Sequence, residues 1–161
     1  MNTAEALLSA ARDAGVMIAT AESCTGGMVS AAITDIAGSS TIFDRGFVTY
    51  TNAAKRDLLG VLPETLAQYG AVSEQVAREM VVGALAGSGA QIAVAITGIA
   101  GPGGSEHKPE GLVCFGISGP KGTATETIAF GALGRAQVRK AATNHALNLL
   151  LAAIPAVSHP T

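Results

Sequence analysis

An apolar, β-branched run, Val16-Met17-Ile18-Ala19, gives way to Thr20-Ala21-Glu22-Ser23-Cys24-Thr25-Gly26-Gly27, and that in turn to Met28-Val29-Ser30-Ala31-Ala32-Ile33-Thr34-Asp35-Ile36. The first piece reads as a buried strand over 16–21 and the last as a helix over 26–36. A strand that turns into a helix through a cluster of hydroxyl, thiol and glycine residues points to an α/β fold. Ligands bind at that edge of open α/β sheets. A helix start also offers free N–H groups and a partial positive charge, a seat for a phosphate or an oxyanion. Ser23, Cys24 and Thr25 are three candidate nucleophiles or hydrogen-bonding groups there.

The remaining elements follow from periodicity and punctuation. Residues 3–14 read as an amphipathic helix with Ala4, Leu7, Leu8 and Ala11 on one face, stopped by Gly15. After a turn at 37–40, Thr41 to Tyr50 reads as a second strand, its alternation interrupted by Arg45 and Gly46. A short helix over 51–60 is capped by Thr51 or Asn52 and closed by Gly60. Residues 63–69 form a turn or short helix, and Ser73 caps a helix that runs to about Ala86 and stops at Gly87. Gln91 to Thr97 is the clearest buried strand. A glycine-rich loop from Gly98 through Ser105, continuing to about Glu110, follows it. Two strands over 111–118 and 123–130 form a hairpin around Gly119-Pro120-Lys121-Gly122. A last helix over 135–153 carries Val138, Ala141, Ala142, Ala146 and Leu149 on one stripe, and Pro155 and a Ser-His-Pro tail end the chain. This order predicts a single domain over 1–161: a three-layer α/β/α sandwich on a mixed, mostly parallel sheet of about five strands, in which the last hairpin supplies an antiparallel strand.

Composition removes several functions. Apolar residues make up 48% of the chain and charged residues 14%, which excludes disorder. The net charge is −2 and no basic run exists, so nucleic acid is not an expected partner. No apolar run reaches the roughly 18 residues of a membrane span, so no membrane partner is expected. Residues 1–15 have no basic start, and Cys24 and Cys114 make no disulfide framework; the cytoplasm is the expected compartment. The low surface charge hints at self-association, a homodimer first among the possible assemblies.

The chemistry of the opening turn stays open on residues alone. Serine needs a base. His159 is in the tail, His145 falls near the apolar stripe of the last helix as a packed or capping residue, and His107 sits in the long loop with nothing beside it to complete a triad. Lys55 lies one helical turn past Tyr50 and Asn52. If the first two strands are parallel neighbours, Lys55 opens on the same edge as Ser23 and can serve as base once its pKa is lowered. Spacing alone favours instead a Ser23 that only caps the helix and a solvated Lys55. Cys24 is a rival nucleophile or a small packed residue. Thr25 is most simply the N-cap, and Gly26 and Gly27 allow close backbone approach to a ligand. Neither the P-loop nor the dinucleotide fingerprint is matched. Thr97, Gly98 and Gly101 bring the second glycine-rich loop to a strand end, where backbone N–H groups can meet an anion. Arg135 and Arg139, one turn apart, suit a phosphate or an ordinary helix surface equally. No metal-ligand spacing appears, and neither a metal nor a cofactor is expected.

The residues that carry a family resemblance are Thr20 to Gly27, Asp35 to Ser40, Gly46 to Lys55, Gly70 to Ser73, and Thr97 to Gly104. In order and spacing they resemble the CinA C-terminal domain family of nicotinamide-nucleotide amidohydrolases, over nearly the whole chain. The resemblance implies hydrolysis of the carboxamide of nicotinamide mononucleotide to nicotinate mononucleotide and ammonia, in pyridine nucleotide salvage, without a cofactor. It implies Ser23 as nucleophile, Lys55 as its base and Tyr50 beside them. Backbone N–H groups near Cys24 to Gly27 are then expected at the oxyanion, and the 98–104 loop with Arg135 or Arg139 at the 5′-phosphate, with Thr25, Asn52 and Thr97 as further contacts. The family pattern Gly-Asp-Arg-x-x-Val-Arg appears here as Gly134-Arg135-Ala136-Gln137-Val138-Arg139, without the acid. The larger N-terminal domain of full-length relatives, with any activity it holds, is not expected here. Two alternatives remain: a non-catalytic nucleotide-binding module that acts through a partner, and an amidase that uses Cys24.

Overall fold

Alanines on one face of the central strands and larger aliphatics on the other decide how this chain layers. In a computed structural model describing residues 1–156, the elements run α1 (Thr3–Ala14), β1 (Ile18–Glu22), α2 (Met28–Thr34), a 3-10 turn (Ser39–Thr41), β2 (Phe43–Val48), α3 (Asn52–Leu59), α4 (Pro63–Tyr69), α5 (Glu74–Ala86), β3 (Ile92–Gly98), β4 (Leu112–Gly119), β5 (Gly122–Ala129) and α6 (Arg135–Ala153). His159 and the tail lie outside the described residues. No described helix is long and apolar enough to cross a membrane.

The sheet order is β2-β1-β3-β4-β5. β1 pairs in parallel with both β2 and β3, and β4 pairs antiparallel with β3 and β5. All strands but β4 therefore point the same way, as the mixed sheet requires. Period-2 alternation sorts the core. Ile92, Val94 and Ile96 of β3 face α1, α2 and α6, where they join Leu7, Val29, Phe115 and Leu147. Ala93 and Ala95, with Ala19 and Ala21 of β1, face Val76, Met80, Val81 and Ala84 of α5. Those small side chains let α5 lie close to the sheet. A Cβ on Gly116 of β4 would come within 2.6 Å of the Ala77 carbonyl oxygen.

The caps explain why the helices start and stop where they do. Thr51 accepts a hydrogen bond from the Ala54 amide at the start of α3 and Gly60 closes it in a left-handed conformation. Ser73 accepts from the Val76 amide at the start of α5. Two expectations need correction. β1 includes Glu22, which pairs with both Val48 and Ile96. The buried stripe of α6 is Val138, Ala142, Thr143, Ala146, Leu147 and Leu150. Ala141 and Leu149 are only half-buried, because α6 packs against α1 and α2 as well as the sheet and its buried face is rotated towards them.

The crossover from β1 to β2 runs through α2 on one face, and that from β2 to β3 through α3, α4 and α5 on the other. The chain leaves β1 towards β2 on one side and β3 towards β4 on the other, so its direction splits between the carboxyl ends of β1 and β3, the place where open α/β sheets leave a crevice.

Candidate active site

Ser23 follows the last residue of β1, and Lys55 lies in the first turn of α3 just beyond β2, so the parallel pairing of β1 with β2 brings them together. Lys55 Nζ lies 3.0 Å from Ser23 Oγ. The same Nζ donates to the Thr49 carbonyl at 3.0 Å and to the Tyr50 carbonyl at 3.1 Å. Lys55 is 1% exposed and ranks among the largest fully buried side chains. Burial pushes its pKa below the ordinary lysine value, against the smaller opposing influence of Cys24 and Glu106. A neutral amine has two N–H bonds and one lone pair. In that state, with both N–H bonds given to the two carbonyls, the lone pair would be left for the serine hydroxyl.

The pair opens into a cavity of about 370 Å³ whose walls include Ser23, Cys24, Tyr50, Asn52, Lys55, Thr97, Gly98, Gly101, Glu106 and Arg135, a size suited to a small ligand. Arg135 donates to the Gly101 carbonyl at 2.6 Å and to Tyr50 Oη at 2.7 Å, tying the glycine-rich loop to the far rim. The Tyr50 side chain is therefore a partner of Arg135, and only its carbonyl meets Lys55. Thr97 donates its hydroxyl to the Ala71 carbonyl at 2.8 Å. A Cβ on Gly98 would lie 2.7 Å from Val113 and 3.1 Å from Cys24 Sγ, so this position has room only for glycine. Glu106 and the Ala71-Val72 pair also line the cavity. Glu106 escaped the sequence reading because it sits in a loop without periodicity.

Several expected residues stand elsewhere. Thr25, Gly26, Gly27 and Arg139 are absent from the cavity walls. Arg139 braces the turn from behind, with Nε on the Cys24 carbonyl at 3.0 Å and Nη2 on that of Thr25 at 3.3 Å. Gly26 and Gly27 take positive φ of 58° and 109°, so they serve the turn rather than approach to a ligand. Thr25 is not the N-cap of α2: that position is Gly27, without a side-chain cap bond. The Thr25 hydroxyl donates instead to Glu22 Oε1 at 2.7 Å. Glu22, fully buried, also accepts from the amides of Gly27, Val29 and Ser30. The helix start is thus filled by the protein's own carboxylate and is no seat for an external anion. Glu22 escaped notice because a polar residue at a strand end carries no signal of the helix folding back on it.

The amides near Ser23 divide. Those of Ser23, Gly26 and Gly27 are taken up by Ile96, Ser23 and Glu22. Those of Cys24 and Thr25 donate to no oxygen among the described residues. Burial pushes the Cys24 thiol up to about 11, so the sulfur is a protonated, packed group at neutral pH. His145 packs edge-on against Phe115 and pairs with Glu126. His107 is exposed in the loop and does not line the cavity.

The family model described as the CinA C-terminal domain matches residues 1–154. A nicotinamide-nucleotide amidohydrolase PncC of Escherichia coli K12 is 50% identical over 151 residues, covering 93% of this chain and 92% of the relative. A protein of the same description from Enterobacter agglomerans is 62% identical over 109 residues, 67% of this chain and 66% of the relative. Among solved structures, a competence/damage inducible protein CihA from Agrobacterium tumefaciens superposes with a TM-score of 0.90 at 50% identity, over 93% of this chain and 92% of that one.

Proposed function

The chain belongs to the CinA C-terminal domain family, and from that premise we propose that it hydrolyses the carboxamide of nicotinamide mononucleotide to nicotinate mononucleotide and ammonia, in pyridine nucleotide salvage. The observation that carries the reading is the Lys55 amine 3.0 Å from the Ser23 hydroxyl, its remaining N–H bonds held by carbonyls.

In this reading neutral Lys55 takes the Ser23 proton as Oγ attacks the amide carbon. The carbonyl oxygen becomes an oxyanion, met by the N–H group of Cys24. Lys55 then returns its proton to the departing nitrogen. Ammonia leaves and an ester to Ser23 remains. Water attacks that ester, giving its proton to Lys55; the carboxylate product departs as the proton passes back to Ser23 Oγ. Arg135 and the 98–104 loop supply the charge and the free amides that hold the 5′-phosphate, and Asn52 closes the rim. The enzyme acts in the cytoplasm as a homodimer.

Ammonia release from nicotinamide mononucleotide tests the assignment. Ser23→Ala and Lys55→Ala are each expected to lose at least about 10³-fold in kcat, while Cys24→Ala keeps most activity. Normal turnover by Ser23→Ala would remove the serine mechanism. Loss on Cys24→Ala with full activity in Ser23→Ala would move the nucleophile to sulfur, and tight nucleotide binding without turnover in the wild type would favour a binding module.

A further inference from the structure

Glu22 stands beside the nucleophile and does nothing in the mechanism above. Its two oxygens accept five hydrogen bonds: from Thr25 Oγ1, the Gly27 amide and the Val29 amide on Oε1, and from the Ser30 amide and Ser30 Oγ on Oε2. It is 0% exposed, and no cation pairs with it among the described residues. Burying a carboxylate is costly unless its lone pairs are fully used. Here they are used by donors that all lie on the segment after Ser23. A helix start needs no such device, since a serine or aspartate at the N-cap satisfies it locally. Glu22 differs in standing on the strand: it links the end of β1 to the start of α2 across the turn that carries Ser23, Cys24 and Thr25. The support continues outward. Thr20 Oγ1 lies 2.7 Å from Ser30 Oγ. Both hydroxyls occupy the space where a Cβ on Gly46 would fall, at 2.6 and 2.7 Å.

We propose that Glu22 is the positioning residue of the nucleophile turn, its carboxylate holding Ser23 Oγ on Lys55 and the Cys24 amide at the oxyanion. This rests on the assignment of Ser23 as nucleophile. Glu22 touches neither substrate nor reacting atoms. Its removal therefore costs turnover rather than binding.

Glu22→Gln keeps the shape but turns an N–H₂ group towards donors. It is expected to lower kcat by roughly 10- to 100-fold, with KM within about threefold of the wild type and the pH midpoint of kcat/KM unmoved. Thr25→Val removes one of the five bonds and keeps the volume; its kcat is expected to fall about three- to tenfold at unchanged KM. A second readout needs no nucleotide: the rate at which phenylmethanesulfonyl fluoride sulfonylates Ser23, followed by intact mass, as the Oγ–S bond forms and fluoride leaves. Both variants are expected to slow it in step with kcat. Should the wild type be sulfonylated yet leave nicotinamide mononucleotide untouched, the substrate assignment fails while slower sulfonylation in the variants still upholds the positioning role. A wild type inert to both overturns the nucleophile and the positioning role together. Full kcat and full sulfonylation in Thr25→Val overturn the proposal, whether or not Glu22→Gln folds, as does a Glu22→Gln enzyme that changes only in KM.

Discussion

Lys55 is a cation in the unfolded chain and is held where a cation is poorly solvated. Its pKa in the folded protein is lowered by burial, so between that value and the ordinary lysine value the unfolded chain binds more protons. Stability then rises with pH across that window. A wild-type protein is expected to gain urea resistance relative to Lys55→Met as pH is raised from about 7 towards 10; parallel curves would mean an unperturbed lysine. Next to it, Thr49 Oγ1 is a buried hydroxyl without a hydrogen-bond partner among the described residues. Replacing it by an isosteric methyl removes an unmet polar group. Thr49→Val is expected to stabilise by about 1 kcal/mol in urea titration, and a loss of stability would show that the hydroxyl has a partner.

At the scale of elements, α5 lies close to the sheet and close to α3. A Cβ on Gly83 would sit 2.0 Å from the Leu59 carbonyl oxygen. An alanine ordinarily favours a helix over glycine by about 1 kcal/mol. Here overpacking outweighs that gain, and Gly83→Ala is expected to destabilise by about 1–3 kcal/mol, read as a lower urea midpoint at unchanged slope. Most elements were legible because their signals are local. Thr51, Gly60 and Ser73 act on residues within a turn of themselves, and β3 reads as buried from its own composition. The meeting of Ser23 with Lys55 was legible only as a conditional, since it needed two strands to be parallel neighbours. The roles of Thr25, Glu22 and Arg139 were not legible. Thr25 was expected to cap α2, but left-handed Gly26 and Gly27 stand between them, and the longer arm of Glu22 reaches the helix amides first. Arg139 meets the turn from 115 residues away, a pairing that no short-range pattern encodes.

Across the whole molecule, the site is assembled from three separate parts: the turn after β1, the start of α3, and the glycine-rich loop braced by α6. The two arginines of α6 divide the work. Arg139 holds the turn after β1 through the Cys24 and Thr25 carbonyls, whereas Arg135 stands in the cavity wall. Arg139→Met is therefore expected to lower kcat by roughly tenfold with little change in KM, and Arg135→Met to raise KM for nicotinamide mononucleotide chiefly; steady-state ammonia release separates them. The central claim is the neutral lysine acting on serine, and the pH dependence of kcat/KM on nicotinamide mononucleotide tests it most directly. The wild type is expected to show a rising limb with its midpoint below 10.5, the ordinary lysine value, and Lys55→Ala to keep a trace of activity without that limb. The same limb persisting in Lys55→Ala would contradict the account.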